Sequence, residues 1–131
     1  MTGEKGFTLI EIIAVLIILG ILASIAVPRY IDVASQAKIS AANSEVAEMK
    51  SSMNLAYAKL FMSNGVAPTT GTAVLTAAGF TDAAASNVGT APDIWNVTLT
   101  GSGTNVLIRV NSFGASSDTA YTATGTWNMP Q

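Results

Sequence analysis

The chain has no cysteine and no histidine. The first absence excludes disulfides and thiolate metal centres. The second removes both the commonest general base and the commonest metal ligand. Ser and Thr are abundant, but without an imidazole the usual route to an activated hydroxyl is missing, and no nucleophile–base pair stands out. An enzyme is therefore the least expected class. Charge is scarce too: 11% of the 131 residues are charged, six Lys and Arg against eight Asp and Glu, for a net charge of −2. Lys5, Arg29, Lys38, Lys50, Lys59 and Arg109 are scattered, so the basic patch that nucleic acid requires is missing and no nucleic-acid binding is expected. No internal repeat is visible.

What is present is unevenly placed. Most of the Ile and Leu fall in the first thirty positions, and the remainder is rich in Ala, Thr, Ser, Gly and Asn. Residues 7–27 are apolar apart from Thr8, Glu11 and Ser24. As a helix they would extend about 32 Å, close to the ~30 Å hydrocarbon thickness of a bilayer. A secretory signal would have a shorter apolar run and a cleavage site at its far end. Here "ILASIAVP" offers small residues but continues into more helical pattern.

Residues 29–61 contain neither Gly nor Pro, and Ala42, Val46, Met49, Met53, Ala56 and Leu60 step by four and three. That spacing predicts one apolar face of a helix, with Glu45, Glu48, Ser52 and Lys59 off the stripe. Residues 7–61 would then form a single helix of roughly 80 Å, its apolar half protruding. Gly20 and Pro28 are its weak points: proline deletes a backbone bond and crowds the preceding turn, so the helix is expected to kink or loosen there. "SNGVAPTTGT" ends the helix at residues 63–72. "AVLTAAGF" reads as a short helix or a single turn, and residues 81–92, "TDAAASNVGTAP", as loop.

Three strand candidates follow. In "DIWNVTLT", Trp95, Val97 and Leu99 alternate with polar residues, and "GSGT" makes a turn. In "NVLIRVN", Val106, Ile108 and Val110 oppose Leu107, Arg109 and Asn111, and "SFGASSD" is a longer connection. "TAYTATGTW" places Tyr121, Ala123, Gly125 and Trp127 on one face. The expected fold class is α+β: a long N-terminal helix whose amphipathic half carries a three- or four-stranded antiparallel sheet.

One residue needs an explanation of its own. Glu11 lies in lipid-compatible sequence, and no charge follows it until Arg29. A carboxylate at bilayer depth costs about 2.5–3.5 kcal/mol on insertion scales. It can snorkel to the headgroups, or a second molecule can bring it a cation. An α-amino group created by cutting the chain before Phe7 would be such a cation.

"KGFTLIEIIAVLIILGILASIAVP", residues 5–28, resembles the class III signal of type IV pilins and type II secretion pseudopilins. Lys5-Gly6, Phe7, Glu11 and the apolar run carry the resemblance, and Pro28 falls where the family often has proline. The resemblance implies a pilin fold with a leader at 1–6, a transmembrane or filament-core helix at 7–28, an amphipathic half at 29–62 and a β head at 63–131. It implies a structural subunit, cut by a prepilin peptidase between Gly6 and Phe7, with N-methylation of Phe7 and Glu11 pairing with the neighbour's amine. Gly suits the first side of that bond because backbone without a side chain enters a tight site. Lys5 would stay cytoplasmic.

The implied partners are copies of the same chain, the peptidase, an inner-membrane assembly platform and, before assembly, membrane lipid. The precursor would be a single-pass inner-membrane protein, and the polymer an extracellular pilus or a periplasmic pseudopilus. A major-type pseudopilin is the alternative, and a membrane-anchored binding domain that never assembles is a further one. The chain lacks the Pro-Trp-Gly pattern of major pseudopilins in "APDIWNVTLTGSGTNV", which favours a pilin. Some pseudopilins hold calcium in C-terminal loops. Here Asp82, Asp93 and Asp118 stand apart, with only "PDIWN" suggestive, so no cofactor or metal is expected and a calcium site is the alternative. Many pilins close a C-terminal loop with a disulfide; this chain must use packing instead, for which Trp127 and Tyr121 are the candidates. Retraction, adhesion, DNA uptake and cargo pushing belong to motors and tip proteins.

Overall fold

In the computed structural model, which describes residues 6–114 and 120–130, the helical pattern runs as one element. Helix α1 spans Leu9–Asn64 and continues through Gly20 and Pro28. Residues 1–5 of the expected leader, with Lys5, lie outside the described residues, as do Asp118 and Thr119. The order after α1 is α2 (Gly71–Ala77), β1 (Ala85–Thr90), β2 (Asp93–Ser102), β3 (Asn105–Phe113) and β4 (Ala123–Asn128). The chain divides into two units, Met1–Gln36 and Ala37–Gln131.

In the first unit every large apolar side chain from Phe7 to Val33 is exposed. In the second, the helical stripe becomes core. Ala42, Val46, Met49, Met53 and Ala56 are buried, and Leu60 is half-buried against the same cluster. The sheet supplies Val97 and Leu99 from β2, Val106, Ile108 and Val110 from β3 and Trp127 from β4. Helix α2 adds Val74 and Leu75. It starts where the Thr70 hydroxyl accepts the Ala73 N–H at 3.3 Å, an N-cap that satisfies one of the helix's orphan donors.

The sheet is a four-stranded antiparallel meander in the order β1-β2-β3-β4. The alternation expected in β2 and β3 holds, and the register shifts between Asn96 and Val97, so that Trp95 pairs with Phe113 while Val97 pairs with Val110. On the outer face, Asn96 donates to Asn87 at 3.0 Å, and Asn111 donates to Asn96 at 2.9 Å and to Thr98 at 2.8 Å. These side-chain bonds tie β1, β2 and β3 together where apolar packing is absent.

Four expectations need correcting. The stretch read as loop at 81–92 contains β1. Its sequence "ASNVGT" has little apolar alternation because it is an edge strand, held by backbone pairing to β2. The last strand begins at Ala123 and runs to Asn128, and Tyr121 precedes it. Tyr121 nevertheless packs edge-on to Trp95 at 5.7 Å and against Phe113 at 5.1 Å. Strands β2 and β3 each extend further than read, leaving Gly103 and Thr104 as the turn between them; Gly103 has φ +56°, a conformation glycine adopts without penalty. Glu45, placed off the stripe, is buried at 6% exposure.

The C-terminal strand is clasped without a disulfide. The Trp127 indole N–H donates to Asn54 Oδ1 at 2.7 Å, and the Tyr57 hydroxyl donates to the Pro130 carbonyl at 3.4 Å. The Tyr57 and Trp127 rings lie 6.3 Å apart. Gly125 permits this closeness: a Cβ there would sit 2.5 Å from Val46 Cγ1.

Candidate functional site

Residues 6–8 are non-helical, and α1 begins at Leu9. The start is built from two side chains. The Thr8 backbone N–H donates to Glu11 Oε2 at 2.7 Å, and the Thr8 hydroxyl donates to the same oxygen at 2.9 Å. In return the Glu11 N–H donates to Thr8 Oγ1 at 3.3 Å. This is a capping box: the cap residue and the third helical residue each satisfy the other's orphan N–H. Thr-x-x-Glu directly before an apolar run is its sequence signature, present in "TLIE". Reading Glu11 for its charge alone passes over Thr8, the residue that fixes it.

The capping box also changes what Glu11 requires. A buried or lipid-facing polar group must find a hydrogen-bond partner. All three polar side chains of residues 7–27 do so within the segment, since the Ser24 hydroxyl donates to the Ile21 carbonyl at 2.7 Å. Such back-bonding is a common way for Ser to sit in a membrane helix. Hydrogen bonding is thus satisfied locally, but the charge is not, because residues 7–28 contain no Lys or Arg. The negative end does sit in the first helical turn, where the helix dipole favours an anion.

The other expected positions are placed as follows. Phe7 is 83% exposed, and Gly6 precedes it in non-helical backbone. Gly20 has no neighbour within 4 Å of where a Cβ would stand, so its surface is open to close approach. Pro28 lies inside the helix. Only Phe7, Thr8 and Glu11 come together; Gly20 and Pro28 lie further along α1. Leu9–Asn64 includes a stretch long and apolar enough to cross a membrane, near the N-terminus, and the side chains of that stretch are not buried within the chain. In the second unit Asp82 accepts the Gly101 N–H through Oδ1 at 2.7 Å, a loop-fixing bond.

Residues 1–27 match the family described as the prokaryotic N-terminal methylation motif. A fimbrial protein of Pseudomonas aeruginosa is 48% identical over 50 residues, which cover 38% of this chain and 32% of that protein. The type IV major alpha-pilin of Moraxella bovis is 43% identical over 56 residues, 43% of this chain and 35% of its own length. A type IV narrow pilus major component of Thermus thermophilus is 44% identical over 52 residues, 40% of this chain and 45% of that protein. The matched stretch thus spans between about a third and a half of these relatives. No solved structure matches the chain significantly. Over its N-terminal segment the chain is similar to type IV pilins, and it has one long helix followed by an antiparallel sheet.

Proposed function

We propose that the chain is a prepilin, processed between Gly6 and Phe7, that polymerises through α1 into a type IV pilus filament. The relatives' names, fimbrial protein and type IV major pilin, support a pilus subunit with a structural role. The observation that carries the reading is Glu11: a carboxylate with hydrogen bonds from Thr8 but no cation in residues 7–28. Cleavage before Phe7 would create an ammonium group four residues from Glu11. Within one helix the Thr8 cap already occupies one carboxylate oxygen, so a neighbour's Phe7 amine is the natural partner for the charge. A helix apolar on all sides is stable in lipid and equally so among copies of itself, so assembly trades one apolar environment for another. A heterologous contact repeated without closure gives a helical filament.

In this reading Phe7 carries the N-methyl group, and Gly20 and Pro28 give the helix room to adjust in the polymer. The precursor is held in the inner membrane, where the peptidase and an assembly platform reach it, and the filament is displayed outside the cell. Intact mass spectrometry of shed filaments tests this. The subunit is expected to start at Phe7 with one added methyl. Filaments whose subunit still starts at Met1 would contradict it. Glu11→Ala is expected to leave cleavage intact and reduce filament yield at least tenfold, and an unchanged yield removes the pairing role.

A further inference from the structure

We propose that Glu45 is a proton-operated switch in the helix–sheet seam of the second unit. Protonated, its carboxyl is part of the core; ionised, it loosens the packing of α1 against the sheet. The inference does not depend on filament assembly.

Glu45 is 6% exposed and flanked on its own helix by the buried residues Ala42, Val46 and Met49. Its Oε1 is shut off from solvent and has no hydrogen-bond partner. That oxygen has lost water and gained nothing in exchange, which is costly for the ionised form and less so for the neutral one. Among the described residues, no element packed on the seam brings a cation into a hydrogen bond with Glu45 Oε1. The charged residues of the sheet are Asp93 and Arg109. Asp93 is exposed at the start of β2, and Arg109 is exposed between the buried Ile108 and Val110, hence on the outer face. Helix α2 has no charged residue. Asp82, before β1, is exposed and engaged with the Gly101 N–H.

On α1 itself, Lys38 stacks 5.2 Å from the centre of the Tyr121 ring, and Lys50 lies along Gly125 of β4. Five positions from Glu45, Lys50 is on the other flank of the stripe. The nearest charge in sequence is another acid, Glu48, one turn on. Burial first, and then Glu48, push the pKa of Glu45 above the usual carboxylate range.

The sign follows directly. The folded chain holds the Glu45 proton to higher pH than the unfolded chain does. Between the two pKa values the folded state binds more protons, so stability is greatest below the unfolded value and falls as pH rises through the folded one. Above that window it levels off. Acidification therefore tightens the head, the opposite of the usual acid loosening.

The test is thermal unfolding of the full chain in detergent micelles, read by the fluorescence of Trp95 and Trp127 between about pH 4 and pH 8. The wild type is expected to lose roughly 5 °C of Tm across the window as pH rises. E45Q is expected to hold its Tm across the same window. E48Q, which removes the like charge, is expected to keep the fall but move its midpoint to lower pH. A wild-type Tm independent of pH, or an E45Q slope equal to the wild type's, overturns the proposal. Should E45Q fail to fold, the wild type's infrared band for a protonated carboxyl decides. Its persistence above the ordinary glutamate range supports the switch, and its absence there rejects it.

Discussion

The two halves of α1 obey the same backbone geometry and solve opposite problems. Residues 7–27 are apolar on every side, and none of their side chains is buried. From Ala37 onward one apolar stripe is buried against the sheet, while Ser, Asn, Lys and Glu, with a few exposed apolar residues such as Leu55 and Met62, occupy the flanks and back. One pattern leaves its apolar surface exposed; the other covers it within the chain. A helix can thus continue without a break while its purpose changes, and the change is written only in which faces are apolar.

The largest expected effect separates the halves directly. Met53 is fully buried, and Met53→Ala should cost about 2–5 kcal/mol, lowering the unfolding temperature of the second unit in a micelle-solubilised sample. Leu16, 62% exposed, has no core to lose. Leu16→Ala should leave that temperature unchanged while weakening filament yield, and a Tm drop matching Met53→Ala would erase the contrast. Next is Gly125→Ala, which forces a methyl against Val46 and should cost about 1–3 kcal/mol. Val46→Ala should recover part of the loss in the double variant, and strictly additive losses would argue against the contact. Trp127→Phe keeps most of the burial but removes the bond to Asn54, for about 1 kcal/mol by chemical denaturation. The smallest effect sharpens the first half: Thr8→Val should remove about 0.5–1 kcal/mol of helix-start stability. Faster amide exchange at residues 9–12 in micelles would register it, and unchanged exchange would mean the cap contributes nothing there.

Much of this was legible because side chains and structure share a period. The 3.6 repeat from Ala42 to Leu60 and the alternation in β2 and β3 are imposed by burial, so they appear in the letters. Edge strand β1 is held by main-chain pairing and by an Asn87–Asn96 bond, and main-chain bonds leave no mark on composition. Glu45 illustrates a different limit. The stripe is wide enough to swallow a residue on its flank, and polarity assigns that residue outward when position does not. At the N-terminus the acid was conspicuous, whereas its partner Thr8 looked ordinary until the hydrogen bonds were seen.

The helix begins at Leu9 because Thr8 and Glu11 close its first turn on each other. The Gly6–Phe7 linkage therefore stays outside the ladder of main-chain bonds. Proteolytic enzymes grip stretched backbone, and a coiled substrate must first be pried open. Under the proposed processing nothing would have to be unwound: the knot that secures the helix start is tied from Thr8 onward, beyond the Gly6–Phe7 bond.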